Sequence, residues 1–180
     1  MAEKIEVRRL SAAEAREQLD ALAGVLADCV AGGASVGYMA PFSHADARAV
    51  YEAYVRDAEG GSRVILGAFV DGNLVGTAQL VLAVPPNQPH RAEVARVLVH
   101  RSARRRGIAQ RLMEQLEHEA RAEGRTLLVL DAVSDGDAAR LYDRLGWNTV
   151  GVIPDYALYP DGRFCDTTVF WKSLEDQAAQ

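Results

Sequence analysis

Apolar positions recur along this chain with two periods, and the switch between them marks out its elements. Lys4 to Leu10 reads as a short first strand. Ser11-Ala12-Ala13-Glu14 is a capping box, a serine followed three residues later by a glutamate, and it opens a helix predicted to reach about Ala31. Leu19, Leu22, Ala23, Leu26 and Val30 share one face of that helix at the 3.6-residue period. The stretch from Gly32 to Gly37 ends it in a loop. A second helix is predicted from the Ser43 cap to Glu59, where Gly60-Gly61 stops it.

From Arg63 onward the pattern is that of strands. Arg63 to Val70 is apolar, Asp71-Gly72-Asn73 is a hairpin turn, and Leu74 to Val84 is the return strand. Pro85-Pro86-Asn87-Gln88-Pro89 must be a loop, because proline cannot donate to a ladder. Ala92 to His100 is the next strand, followed by a basic loop and a helix to about Glu123, which Gly124 stops. Thr126 to Asp131 is a strand of the buried type, and a helix runs from Gly136 to Leu145 with Gly146 as a left-handed cap. Residues 148–153 form a strand, 154–162 a loop and 163–172 a last strand, with 175–180 as a frayed tail. The order β-α-α-β-β-β-α-β-α-β-β predicts a mixed α/β sheet in one domain, residues 1–180. Its central β-α-β-α-β needs neighbouring parallel strands, whereas the hairpins are antiparallel.

Composition narrows the function classes. The chain has 180 residues, 49% of them hydrophobic and 25% charged, which is ordinary for a folded domain. A net charge of -5 argues against nucleic-acid binding, which needs a basic footprint. The two cysteines, Cys29 and Cys165, make no C-x-x-C pair, so neither a zinc ribbon nor a thioredoxin-like site is supported. Cys29 falls in an apolar helical pattern and reads as a core residue. No apolar run is long enough to span a bilayer, and the first residues lack a signal-peptide core, so a cytoplasmic location is expected. His44 and His90 read as surface loop residues, and His100 as a polar group behind the site. His118-Glu119 does not extend to H-E-x-x-H, so no metal is implied.

Against this acidic background, residues 97–113 carry a basic loop between an apolar strand and an amphipathic helix. A helix N-terminus presents unpaired N–H groups and a partial positive charge, and so stabilises phosphate. Gly107 removes a side chain where phosphates approach the backbone, and Arg101, Arg104, Arg105 and Arg106 surround it with charge. Arginines at a helix start oppose the dipole, a conflict that a bound polyanion removes. A solvated helix start is the ordinary alternative for such a charge run. Three phosphate patterns compete. The Walker pattern G-x-x-x-x-G-K-[ST] is absent, and a dinucleotide fingerprint needs spaced glycines that are not present. The coenzyme A pattern [QR]-x-x-G-x-[GA] fits Arg104-Arg105-Arg106-Gly107-Ile108-Ala109.

With that loop, the strand Val97-Leu98-Val99 before it and Leu141-Tyr142-Asp143-Arg144-Leu145-Gly146-Trp147 after it, the chain resembles the GNAT superfamily of acetyl-CoA-dependent N-acetyltransferases. The element order agrees over about residues 4–173. The resemblance implies a GNAT fold, a mixed central sheet with a splayed strand pair and flanking helices, and acetyl-CoA as co-substrate. It places the pantetheine arm in the splay, the thioester carbonyl near the backbone N–H groups of Val97, Leu98 and Val99, and the pyrophosphate on Arg104, Arg105, Arg106, Gly107, Ile108 and Ala109. Two positions depart from the pattern: Asp135 stands where asparagine is usual, and Ala109 where glycine is commoner.

Acetyl transfer to an amine must remove a proton from an ammonium of reference pKa about 10.4, so a base matters more than an acid. The resemblance makes Tyr142 the acid beside the sulfur, a role compatible with a core aromatic. Glu93 and Asp131 are the candidate bases, each also readable as a solvated strand end. Asp131 has the advantage of a strand carboxyl end, where ligand crevices of such sheets lie. A narrower similarity, to the tabtoxin-resistance acetyltransferases within the superfamily, rests on Gly32 to Ala40, Arg91-Ala92-Glu93-Val94, Ser102-Ala103-Arg104 and Pro160-Asp161-Gly162-Arg163. It implies that Glu93 and Asp131 act on the amine. It also implies that the Gly32–Met39 loop borders the acceptor, with Gly33, Ser35, Val36 and Tyr38 as substrate-binding residues, although a plain helix–helix connection would read the same way. The expected activity is acetylation of a primary amine on a small molecule such as tabtoxinine-β-lactam. Acetylation of a protein N-terminus or lysine, and non-catalytic acyl-CoA sensing, are the alternatives. A monomer or homodimer without nucleic-acid or membrane partners is expected.

Overall fold

The structure is a computed structural model that describes residues 3–134 and 136–175. Asp135 and residues 176–180 of the expected tail lie outside the described residues.

The elements are β1 (Ile5–Leu10), α1 (Ala12–Glu17), α2 (Leu19–Ala31), α3 (His44–Glu59), β2 (Arg63–Val70) and β3 (Asn73–Val81). They continue with β4 (Arg91–Val99), α4 (Ile108–Ala122), β5 (Leu127–Val133), α5 (Asp137–Arg144), β6 (Asn148–Leu158) and β7 (Phe164–Ser173). Both expected caps form: the Ser11 and Ser43 side chains accept from the amides of Glu14 and Asp46, whose carboxylates accept from the cap amides in return. Gly146 takes the left-handed conformation, with φ 77. The seven strands form one sheet in the order β1-β2-β3-β4-β5-β7-β6.

Five expectations change. The first helix breaks at Gln18 (φ -92, ψ 8) into α1 and α2. His44 opens helix α3 and does not lie in a loop. The return strand β3 ends at Val81, since the chain must leave the sheet before Pro85-Pro86. Residues 154–158, expected in a loop, continue β6. Proline is tolerated there because β6 is the outermost strand, and a register shift between Ile153 and Ala157, with Asp155 at φ 50, absorbs the irregularity. The central crossovers also yield a single parallel neighbour pair, β4 with β5, because β7 inserts antiparallel between β5 and β6.

Each face of the sheet carries its own core. Val64, Leu66 and Ala68 of β2 pack with Leu112, Met113 and Leu116 of α4. Ile65 and Phe69 of the same strand pack with Leu22 and Leu26 of α2 and Tyr51 of α3. β2 is therefore apolar from Val64 to Val70 because both of its faces are covered.

Candidate active site

Strand β4 shapes the site twice. It pairs with β5 only at Arg91–Leu127, Ala92–Leu128 and Glu93–Val129, so beyond Glu93 the two strands part. The β5-facing edge of β4 is then left without a strand partner. Its pairing with β3 also slips, with Gln79 opposite Ala95 but Thr77 opposite Leu98, and Arg96 sits at φ 54. The extra residue exchanges the faces of the strand. Ala92 and Val94 lie in the α4-side core, whereas Leu98, of the same parity, lies in the α2–α3 core and Val97 and Val99 turn toward α4.

The gap opens into a groove of about 1320 Å³ that runs from the start of α4 to the β6–β7 hairpin. At one end Arg104, Arg105, Gly107, Ile108 and Ala109 line it. Arg105 (φ 62) and Gly107 (φ 73) both take left-handed conformations around Arg106, an alternation that points successive amides into one concavity. The first helical amide to reach back is that of Arg111, on Gly107 O, so the amides before it have no intrahelical acceptor. A Cβ on Gly107 would meet nothing within 4 Å, so glycine is required by φ and its front is open space.

The arginines divide. Arg101 donates from its backbone and Nε to Asp28 at 2.8 and 2.9 Å, and Arg106 pairs with Glu3 at 2.8 Å. Arg104 Nε donates to Val99 O at 3.2 Å, beside the buried Cys29. Burial pushes the Cys29 thiol up, in keeping with a core residue. Arg106 is not among the residues lining the groove; Val97, Leu98 and Val99 are.

Midway, Glu93, Asp131 and Tyr142 all line the groove. Glu93 accepts from Arg91 at 2.7 Å. Loss of water pushes the Asp131 carboxyl above the usual carboxylate range, against the pull of the Arg96 guanidinium and with a push from the Glu93 carboxylate. Tyr142 is 5% exposed, set against Trp147 and Phe170 with ring centroids 5.9 and 5.5 Å away. Burial, with the Asp131 charge behind it, pushes its phenol up to about 12. The three sequence-predicted residues thus share one electrostatic neighbourhood.

The loop after α2 closes the other end. Ser35, Val36 and Gly37 line the groove, and Gly33 (φ 86) and Tyr38 lie outside the lining. Ser35 Oγ donates to Leu158 O at 2.7 Å, and the Ala40 amide donates to Pro160 O at 3.1 Å, so the loop rests on the β6–β7 hairpin. Tyr156 and Tyr159 line the groove from that hairpin. Tyr38 stacks on Phe42 at 4.7 Å, and its hydroxyl lies 2.9 Å from that of Tyr54. His100 sits outside the groove lining, with Nδ1 2.8 Å from Ser102 Oγ. Sequence reasoning passed over Arg96, which lines the groove, and the tyrosines of the hairpin. Among the described residues, no group of three His, Cys, Asp or Glu is placed to hold a metal, and no helix is long and apolar enough to cross a membrane.

Residues 32–147, from the loop after α2 to the end of α5, match the acetyltransferase (GNAT) family. A protein of Azospirillum brasilense, described as an uncharacterized N-acetyltransferase in the hisH-hisA intergenic region, is 36% identical over 107 residues. That match covers 58% of this chain and 61% of the relative, so the chain matches less than two thirds of the relative's length. Two solved structures share the fold. An N-acetyltransferase from Staphylococcus aureus Mu50 superposes with a TM-score of 0.79 at 21% identity, over 96% of this chain and 99% of that one. The structure of yncA from Salmonella typhimurium with its cofactor acetyl-CoA gives a TM-score of 0.76 at 23% identity, over 97% and 96%. With the family pattern spanning the splayed strands, the amide cradle and the Tyr142 helix, the chain belongs to the acetyltransferase (GNAT) family, whose members draw acetyl from acetyl-CoA.

Proposed function

We propose that this chain transfers acetyl from acetyl-CoA to a primary amine of a small molecule, with an amino-acid-like antimetabolite such as tabtoxinine-β-lactam as one candidate acceptor. The observation that carries the proposal is the single groove joining the amide cradle at Gly107 to the carboxylates of Glu93 and Asp131. The cradle fits the donor's pyrophosphate: its amides lack helical acceptors, and the space a Cβ of Gly107 would take is open. Val97, Leu98 and Val99, which line the groove where β4 and β5 part, would hold the pantetheine arm. When bound, acetyl-CoA supplies an activated acyl carbon, so that a C–N bond forms as the C–S bond breaks and the ammonium proton is released.

Asp131 is assigned as the base, because its raised pKa brings it nearer to neutral pH, where general bases work best. Glu93, tied to Arg91, holds negative charge opposite the ammonium. Tyr142 keeps its proton up to about 12 and therefore stays a donor to the leaving sulfur at neutral pH. Arg104 to Ala109 hold the donor and move no proton. Ser35 and Val36 wall the acceptor end, while Gly33 and Tyr38 act through the shape of the loop. That wall, resting on the hairpin through Ser35 and Ala40, favours a compact acceptor over a protein chain.

Calorimetry with acetyl-CoA tests the donor half, and the absence of binding would end the proposal. Released CoA thiol, measured with small amines including glutamine-like β-lactam amino acids and with peptides, tests the acceptor half. Turnover of peptides in preference to small amines would move the acceptor to a protein N-terminus or lysine.

A further inference from the structure

Arg96 lies in the groove because of the β4 bulge. By simple alternation with Ala92 and Val94 it belongs on the α4 face; its φ of 54 sends its side chain instead toward Tyr38 and Tyr54. A non-glycine side chain seldom occupies that region.

The guanidinium is gripped from the protein side. Arg96 Nε donates to the Tyr54 hydroxyl at 3.2 Å, and its Cζ lies 5.4 Å from the centroid of the Tyr38 ring. Gly37 leaves it room, since a Cβ there would stand 3.2 Å from Nη2. Its charge is not answered by an ion pair: Glu93 is bound to Arg91, and among the described residues no carboxylate oxygen lies within 4.0 Å of Arg96. A guanidinium carries five N–H donors in a planar fork that matches a carboxylate. Tyr54 takes one of them, and the remainder exceed what the Tyr38 phenol can accept.

Arg96, Glu93 and Asp131 line the same groove, so a cation and two carboxylates face one space. A simple amine answers only the carboxylates. A zwitterion answers both, with its ammonium toward Asp131 and Glu93 and its carboxylate toward Arg96. Resting on the acetyl-transfer reading above, we propose that Arg96 binds the carboxylate of the acceptor, so that the substrate class is a free amino acid bearing the acetylated amine and a carboxylate in one small molecule.

The test is a set of matched acceptors: the common free amino acids and glutamine-like β-lactam amino acids, each beside its carboxamide and its decarboxylated amine, assayed on the full chain. The expected result is at least one amino acid preferred over its carboxamide by about 100-fold or more in kcat/KM, as for a site left with an unanswered polar group. Arg96→Asn removes the charge with a residue that tolerates positive φ, and the preference should fall below about threefold. Arg96→Lys should restore part of it. Calorimetry should show acetyl-CoA affinity unchanged in both variants. It should also show the wild type binding the N-acetyl product more tightly than the product's amide. Equal use of acid and amide by the wild type overturns the proposal, as does a preference that survives Arg96→Asn. If acetyl-CoA binds but only amines without a carboxylate react, the carboxylate site fails and the transferase stands. If acetyl-CoA does not bind, both fall.

Discussion

Ser35 and Leu158 are 123 residues apart in sequence and joined by a 2.7 Å hydrogen bond from the Ser35 hydroxyl to the Leu158 carbonyl. The bond fixes the loop after α2 against β6, and Val36 and Gly37, which line the groove, follow directly on it. A hydrogen bond of this kind contributes about 0.5–1.5 kcal/mol net. Ser35→Ala should therefore raise the acceptor KM by about 2- to 13-fold, the same energy expressed as binding. Affinity for acetyl-CoA, whose proposed cradle lies at the far end of the groove, should stay as it was. Steady-state kinetics and calorimetry on the same preparation check the pair of outcomes.

Asp131 gives a pH dependence of definite sign. Its folded pKa lies above the usual value, so on acidification it takes up its proton earlier than a free aspartate of reference about 3.9. The acid limb of kcat/KM should accordingly fall at a higher pH than an ordinary aspartate would give. Asp131→Asn should remove that limb and lower kcat/KM about 10²- to 10⁴-fold near neutrality. The deficit should narrow as pH rises toward the pKa of the amine, where the free base needs no help.

The same shift makes a statement about stability. A carboxyl whose pKa is raised on folding binds more protons in the folded state between its two values. Its contribution is therefore lost as pH rises through the folded pKa. Asp131→Asn should leave the chain at least as heat-stable at neutral pH as the wild type, with the advantage disappearing in acid. A thermal melt at two pH values checks this, and a lower Tm at neutral pH would contradict it.

Local signals were legible in the sequence and long-range ones were not. The caps at Ser11 and Ser43 and the left-handed glycine stop at Gly146 are set by residues within one turn of each other, and each appears where the pattern puts it. The order of elements and the basic strand–loop–helix follow from the same near-neighbour rules. Arg96 escaped because a bulge is a property of the β3–β4 register, so two-residue alternation assigns the wrong face on one side of it. The extension of β6 through Pro154 escaped for a related reason. Proline breaks a central strand but not an outer one, and only the insertion of β7 reveals which β6 is. The charge of the anion loop was overstated in the sequence, where partners are invisible: Asp28 and Glu3, remote along the chain, neutralise Arg101 and Arg106.

Tyr142 separates a packing role from a chemical one. Its ring is held by Trp147 and Phe170, and Tyr142→Phe keeps those contacts. The variant should melt within about 2 °C of the wild type, since it removes no buried apolar area. Loss of the donor to the leaving sulfur should lower kcat by about 10- to 100-fold, with little change in acceptor KM. An unchanged kcat, measured under saturating acetyl-CoA, would return Tyr142 to the core alone.

Gly107 gives the sharpest test of the donor end, because its protein surroundings tolerate a side chain and its backbone does not. Nothing lies within 4 Å of the Cβ position, so Gly107→Ala creates no clash within the protein. The φ of 73 costs a non-glycine residue about 1–2 kcal/mol, a strain the first turn of α4 can relieve by shifting. Either the shift or the added methyl disturbs the amides proposed to receive the pyrophosphate. The affinity for acetyl-CoA should fall about 10-fold or more, the equivalent of the same 1–2 kcal/mol. Affinity for a pantetheine thioester that lacks the nucleotide and its phosphates should be unaffected. Calorimetry with the two donors side by side distinguishes a lost phosphate site from general damage to α4, which would weaken both.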